Sequence, residues 1–402
     1  MTRPFRRRIL YLPGYDPIPP RRYRELYRRE GADQARICGY RLEPAERGDA
    51  NGFGWAVAGQ FGTRRTHAEF EVLVWSDIVQ ASMGQSIASS YLQLLRTAWT
   101  YLRSGALFRL MRLRRGPVLA ALYPVVVLVG QLLIALACGL AAGLAAAWAL
   151  PGWIGLALGM ALAALAFCAV MVMWKRADGR IFAHYLMNDY AFAARDQGAY
   201  PPALERRIAH FSDRVAQVLE GDWDEVLVIG HSSGAYLAVS VLAELIRAGR
   251  LPAHGPVLSL LTLGHVVPMA SFLPRADRLR RDLHDLSASP APAWVDVTAP
   301  GDACCFALCD PVAVSGAEPE TRHGPLVISA AFSESLGPER QKLLKWRWFR
   351  LHFQYLCAFD RVRDYDYFAI TAGPMTLAER FAGRRHSPAR IARPLGRPVG
   401  RA

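Results

Sequence analysis

The chain has 402 residues, enough for one large domain or two. Its net charge of +14 comes almost wholly from arginine, with lysine only at positions 175, 342 and 345, and no basic-aromatic reading motif accompanies it. That balance excludes nucleic acid as the expected partner and fits anionic lipid headgroups better.

The N-terminal run Met1–Arg8 is basic but has no apolar signal core, so it is expected to belong to the mature protein. Arg8–Leu12 (RILYL) reads as a short strand ending in Pro13-Gly14-Tyr15-Asp16-Pro17. Pro20–Glu30 reads as a polar helix, and Glu69–Asp77 (EFEVLVWSD) as a second strand. Ser86–Arg115 is helical in pattern, apolar on one face and arginine-rich toward its end, as in a helix lying along headgroups.

From Gly116 to Trp174 no Asp, Glu, Lys, Arg or His occurs. Such a run can cross a bilayer twice at about 20 residues per pass. Leu150-Pro151-Gly152-Trp153 divides it into expected helices Leu119–Ala147 and Ile154–Trp174. Trp148 and Trp153 would mark one interface, Tyr123 and Trp174 the other. Arginines 109, 112, 114 and 115 precede the pair, and Lys175, Arg176 and Arg180 follow it. The positive-inside rule then puts both flanks and both termini in the cytoplasm, in a two-pass protein of a bacterial inner membrane. A buried hairpin in a large soluble core is the competing reading; soluble helices of this length carry a polar face.

Beyond the hairpin, Leu204–Leu219 is amphipathic, with Leu204, Ile208, Phe211, Val215, Val218 and Leu219 on one face. Glu225–Ile229 (EVLVI) reads as a buried strand and Ala235–Ala248 as a helix ended by Gly249. Val257–Leu263, Ala293–Thr298 and Pro325–Phe332 read as strands and Asp277–Leu286 as a helix. Alternating strands and helices point to a parallel sheet. The stretch from Arg380 to Ala402 has no acid, many arginines and several Pro and Gly, and is expected to be disordered. Four regions result: 1–115 and 175–379 as two parts of one α/β domain, 116–174 as a transmembrane hairpin, and 380–402 as a basic tail. Of seven cysteines, Cys304, Cys305 and Cys309 cluster, but their spacing is not that of a zinc site, and they read as reduced thiols.

Gly230-His231-Ser232-Ser233-Gly234 matches G-x-S-x-G directly between the strand EVLVI and the helix AYLAVSVLAEL. This is the setting of a nucleophile elbow. Ser232 would sit strained in the turn, Gly230 and Gly234 would leave room where side chains collide, and the helix N-terminus would face a developing oxyanion. A plain glycine turn with serine as a helix cap is the alternative.

In these features the chain resembles the α/β-hydrolase superfamily, over the sheet segments on both sides of the hairpin and most specifically at GHSSG. The resemblance implies a mostly parallel sheet with helices on both faces, here interrupted by the transmembrane hairpin, and it implies no cofactor and no metal. RILYL with LPGYDP corresponds to the oxyanion strand and loop, although many members carry His-Gly where this chain has Pro13-Gly14. The oxyanion hole would use the backbone N–H groups of Ser233 and Tyr15. The family order of serine, acid, histidine favours Asp302, in the loop after AWVDVT, with Asp310 as the alternative and Asp296 inside the strand. It favours His352 as base, with His323 second and His386 in the basic tail; His231 and His265 read as packing residues. A serine hydroxyl needs such a base, itself oriented by a carboxylate. The expected activity is serine esterase- or lipase-like cleavage of an ester or thioester, small or lipid-like, at the membrane. Two rivals are an acyltransferase using the same triad and a catalytically silent scaffold bound to membrane lipids.

Overall fold

The structure, a computed structural model, describes residues 3–48, 52–83 and 86–396. The chain divides into two compact units: Met1–Ala81 with Phe108–Pro117 and Asp196–Ala402, and Ser82–Leu107 with Val118–Arg195. The expected boundaries set residues 116–174 apart alone. The second unit is larger, taking in helices on either side of that stretch.

The first unit is a mixed α/β fold built on an eight-stranded sheet. Its strands are β1 (Phe5–Leu12), β2 (Arg41–Ala45), β3 (Gly54–Phe61), β4 (Arg64–Val72), β5 (Glu225–His231), β6 (Val257–Leu263), β7 (Ala293–Thr298) and β8 (Leu326–Ser329). They lie in the order β2-β3-β4-β1-β5-β6-β7-β8. The pairings from β4 through β1 to β8 are parallel, and β2, β3 and β4 pair antiparallel. β5 is buried at every position, as expected of a parallel strand covered on both faces. Ile9, Tyr11, Leu227, Ile229, Leu261 and Val295 pack with Tyr23, Tyr27 and the aromatic segment around Tyr355, Phe359 and Phe368. Helix Gly234–Arg247 packs against β1, β5 and β6 and against helices Pro202–Leu219 and Asp277–Ala288. The face expected for Leu204–Leu219 is the face buried.

The first strand is longer than expected and starts with arginines inside the protein. Arg7 and Arg8 are each 1 % exposed. Arg7 pairs with Glu225, and Arg8 with Glu69 and Glu71; buried charges persist only when paired in this way. The expected strand at 69–77 ends earlier, at Val72, and Ser76–Ser82 is helical. The tail departs furthest from expectation. Where disorder was expected, His386 and Ser387 bond to β8, the last strand of the sheet, and Leu395 and Gly396 to the Val314 carbonyl. Ser387 N–H donates to the Val327 carbonyl (2.9 Å), Val327 N–H to His386 Nδ1 (3.0 Å), and Ser329 N–H to Ser387 Oγ (3.0 Å). Ile391 exchanges backbone bonds with Leu308 and Asp310. An edge strand's unpaired groups thus find partners that composition does not reveal. Residues 397–402 lie outside the described residues.

In the second unit, helices Arg115–Ala149 and Gly152–Ile181 are long and apolar enough to cross a membrane. They meet at Leu150–Pro151, with Gly152 at φ 71°. Small residues let them approach. A Cβ added to Gly139 would lie 2.8 Å from the Ala163 carbonyl oxygen, and one on Gly143 2.9 Å from that of Gly159. This is small-xxx-small packing, which suits helices in lipid. Helices Ile87–Arg103 and Ala183–Arg195 complete the unit, where Leu94, Leu128, Ala183, Met187 and Ala191 form a small core. The Tyr91 hydroxyl donates to the Leu128 carbonyl (2.8 Å) and that of Tyr123 to the Ile181 carbonyl (2.9 Å).

Candidate functional site

The C-terminal ends of β1 and β5 lie side by side, Leu12 opposite Gly230. There the chain leaves β5 through Ser232, which sits in the left-handed region at φ 60°. That conformation costs a non-glycine residue about 1–2 kcal/mol, and it must be held by its surroundings. Three glycines make the surroundings possible. A Cβ on Gly230 would lie 2.5 Å from the Gly234 carbonyl oxygen, and one on Gly234 2.2 Å from that of Leu12. One on Gly14 would lie 3.0 Å from Ser232 Cβ and 3.4 Å from its Oγ. The Pro13–Gly14 loop therefore presses against the serine, and the Trp75 indole N–H anchors it by donating to the Pro13 carbonyl (2.9 Å). Ser232 is partly exposed, Ser233 is buried as the N-cap residue of helix Gly234–Arg247, and Tyr15 is buried with its ring against Trp75.

Asp302 stands in the turn after β7, 1 % exposed. Its Oδ1 accepts from the Cys304 N–H (2.8 Å). Its Oδ2 accepts from His352 Nδ1 (2.7 Å) and from the Tyr355 hydroxyl (3.1 Å). Burial alone would raise the Asp302 carboxyl, but the His352 ring and these donors outweigh it and hold the group below the ordinary carboxylate range. A carboxylate only accepts, so Nδ1 carries the proton and Nε2 of a neutral His352 is left with a lone pair. Among the described residues nothing is hydrogen-bonded to that Nε2. The two side chains chosen from chain position thus meet, though Ser232 makes no hydrogen bond to His352 among the described residues. Such bonds are often open before substrate arrives.

His231 links the two. Its Nε2 donates to the His352 carbonyl (3.0 Å), and the two rings lie 4.8 Å apart. Burial, aided by His352, pushes its pKa down to about 3 and keeps it neutral. Gly264, just past β6 at φ 53°, supports the base from another side: a Cβ there would lie 2.7 Å from the Tyr355 ring and 3.1 Å from His352 Cε1. Tyr355, whose pKa burial raises, also accepts from the Ala299 N–H (2.9 Å). The sequence analysis did not single out Tyr355 or its bond to the acid; a tyrosine three residues past the base was the available signal.

The remaining candidates are engaged elsewhere. Asp310 caps helix Pro311–Val314 through Val312 and Ala313 N–H and pairs with Arg322. Asp296 accepts from the Thr262 hydroxyl (2.6 Å), and burial pushes it up to about 6. His265 donates to the Cys309 carbonyl (2.9 Å), His386 accepts from Val327, and His323 lies beside Ser287, to whose carbonyl its N–H donates (2.8 Å). Comparison with family models, with curated proteins and with solved structures finds no match to this chain.

Proposed function

We propose that the chain is a membrane-anchored serine hydrolase of the α/β-hydrolase type, cleaving an ester or thioester through an acyl-serine. The observation that carries this reading is the buried 2.7 Å bond between His352 Nδ1, at the end of helix Trp348–His352, and Asp302, in the turn after β7, together with a serine held at φ 60° after β5. In this scheme Ser232 Oγ attacks the acyl carbon while His352 Nε2 takes its proton. Asp302 fixes the ring tautomer and stabilises the imidazolium. The backbone N–H groups of Ser233 and Tyr15 stabilise the oxyanion. His352 then protonates the departing alcohol or thiol, and water repeats the sequence to free the acid. The hairpin favours an apolar acyl substrate by placing the enzyme at lipid.

A fluorophosphonate probe tests the reading, because it labels only an activated serine. Wild type and Ser233→Ala should label, and Ser232→Ala and His352→Ala should not. Labelling lost in Ser233→Ala but kept in Ser232→Ala would overturn the assignment. The arginine-rich flanks place both termini in the cytoplasm in this scheme. An impermeant thiol reagent on intact cells should therefore reach Gly152→Cys and spare Thr2→Cys; labelling of the latter reverses the topology.

A further inference from the structure

We propose that Asp302, Cys304 and His352 form a binding site for one thiophilic divalent cation, zinc or cadmium, whose occupancy silences Ser232. The silencing half rests on the hydrolase reading; the metal site itself does not. Each of the three residues offers a donor atom, and the three atoms lie within 4.8 Å of one another. The Asp302 turn sets this up by holding the Cys304 N–H on Oδ1. Of the three clustered cysteines, Cys305 and Cys309 are buried, while Cys304 is partly exposed and within reach of an ion.

One sulfur, one nitrogen and one oxygen suit zinc or cadmium and not magnesium or calcium, which take oxygen ligands. Three protein ligands leave a fourth position for water. Zinc bonds of about 2.0–2.3 Å put tetrahedral donors roughly 3.3–3.7 Å apart, so the widest pair must close by about 1 Å. That closure must come from the partly exposed Cys304 side chain. On binding, the Cys304 thiol gives its proton to water and forms the sulfur–metal bond. The thiolate and the Asp302 carboxylate together neutralise the ion's two charges. Coordination through Nδ1 replaces the Asp302–His352 hydrogen bond, coordination through Nε2 leaves it in place, and in both the Tyr355 hydroxyl remains an outer partner of the carboxylate. If Nδ1 coordinates, Nε2 carries the ring proton; if Nε2 coordinates, its lone pair is used. In either case no base remains for Ser232.

The test uses the full chain in detergent micelles, titrated with cadmium, reading the thiolate-to-cadmium charge-transfer absorbance and, in parallel, fluorophosphonate labelling with and without the ion. Wild type should show the band and lose labelling as the ion binds. Cys304→Ser and Cys304→Ala should lose the band and need more cadmium for protection, by more than the roughly 10–100-fold that an outer-shell partner costs. An equal band and equal protection in wild type and both variants would overturn the site. A band that depends on Cys304 with no labelling in any sample, even without metal, would uphold the metal site and overturn the hydrolase reading.

Discussion

His231 offers a prediction whose size follows from its burial. In the unfolded chain its ring takes up a proton below about pH 6.5, whereas the buried ring resists until about pH 3. Between those values the unfolded state holds more protons, so stability falls as pH falls, by about 1.4 kcal/mol per pH unit. At pH 5 this group alone should withdraw about 2 kcal/mol relative to pH 7. His231→Gln places an amide N–H where the ring Nε2 stands, so donation to the His352 carbonyl survives but the titration does not. Urea unfolding of the protein in mild detergent, followed by tryptophan fluorescence across pH 7 to 5, should show the gap between wild type and His231→Gln changing by about 2 kcal/mol in favour of the variant. His231→Leu should instead cost about 1–3 kcal/mol at pH 7, because it strands a buried carbonyl. Parallel stability curves for wild type and His231→Gln would refute the argument.

Asp296 should act with the opposite sign. Its folded pKa of about 6 lies above its ordinary value of 3.8, so stability is lost as pH rises from about 4 to about 6, by roughly 3 kcal/mol in all. Asp296→Asn should remove that slope in the same unfolding series, and an unchanged slope argues that the carboxyl titrates normally. Gly264→Ala forces a Cβ against Tyr355 and His352 Cε1 at a left-handed φ. Since a displacement of about 1 Å can cost 100-fold, any turnover of a soluble thioester that the proposed hydrolase shows should fall by about that factor while circular dichroism is unchanged; full activity would mean that His352 is not held there. Gly143→Leu should wedge the two long helices apart and lower the thermal midpoint in micelles, at a cost of about 1–3 kcal/mol. An unaltered midpoint would show that their contact carries no stability.

Much of the sheet was legible because its buried strands are unbroken apolar runs closed by turn residues. β6 and β7 begin and end where the sequence suggests. The antiparallel pair β2 and β3 was not. Arg41–Ala45 is mostly exposed and contains a proline, and Gly54–Phe61 is interrupted by Gly59, so neither shows the periodicity of a strand. The tail misled for a related reason: its order comes from bonds to β8 and to Leu308, and composition carries no trace of a partner so far along the chain. At the site, Ser232, Asp302 and His352 could be chosen from position after strands. The bond from His231 to a carbonyl 121 residues away could not, nor could the tyrosine that shares the acid.

The order of the strands has a consequence for synthesis. β1 is among the first segments made, yet it lies in the middle of the sheet between β4 and β5. Its β4 side can close after Val72, but its other side must wait for Glu225, on the far side of both long apolar helices. A nascent chain therefore carries an open strand edge, apolar over Ile9–Leu12, throughout the time the hairpin is made, a hazard for aggregation. The same wiring imposes a schedule. The turn bearing Ser232 reaches Pro13 and Gly14 only after the hairpin has left the ribosome, so a chain stalled before that point has no assembled serine site. The apolar insertion thus works as a timer, and the chain cannot bring Ser232 against Pro13 and Gly14 before it has built both long apolar helices.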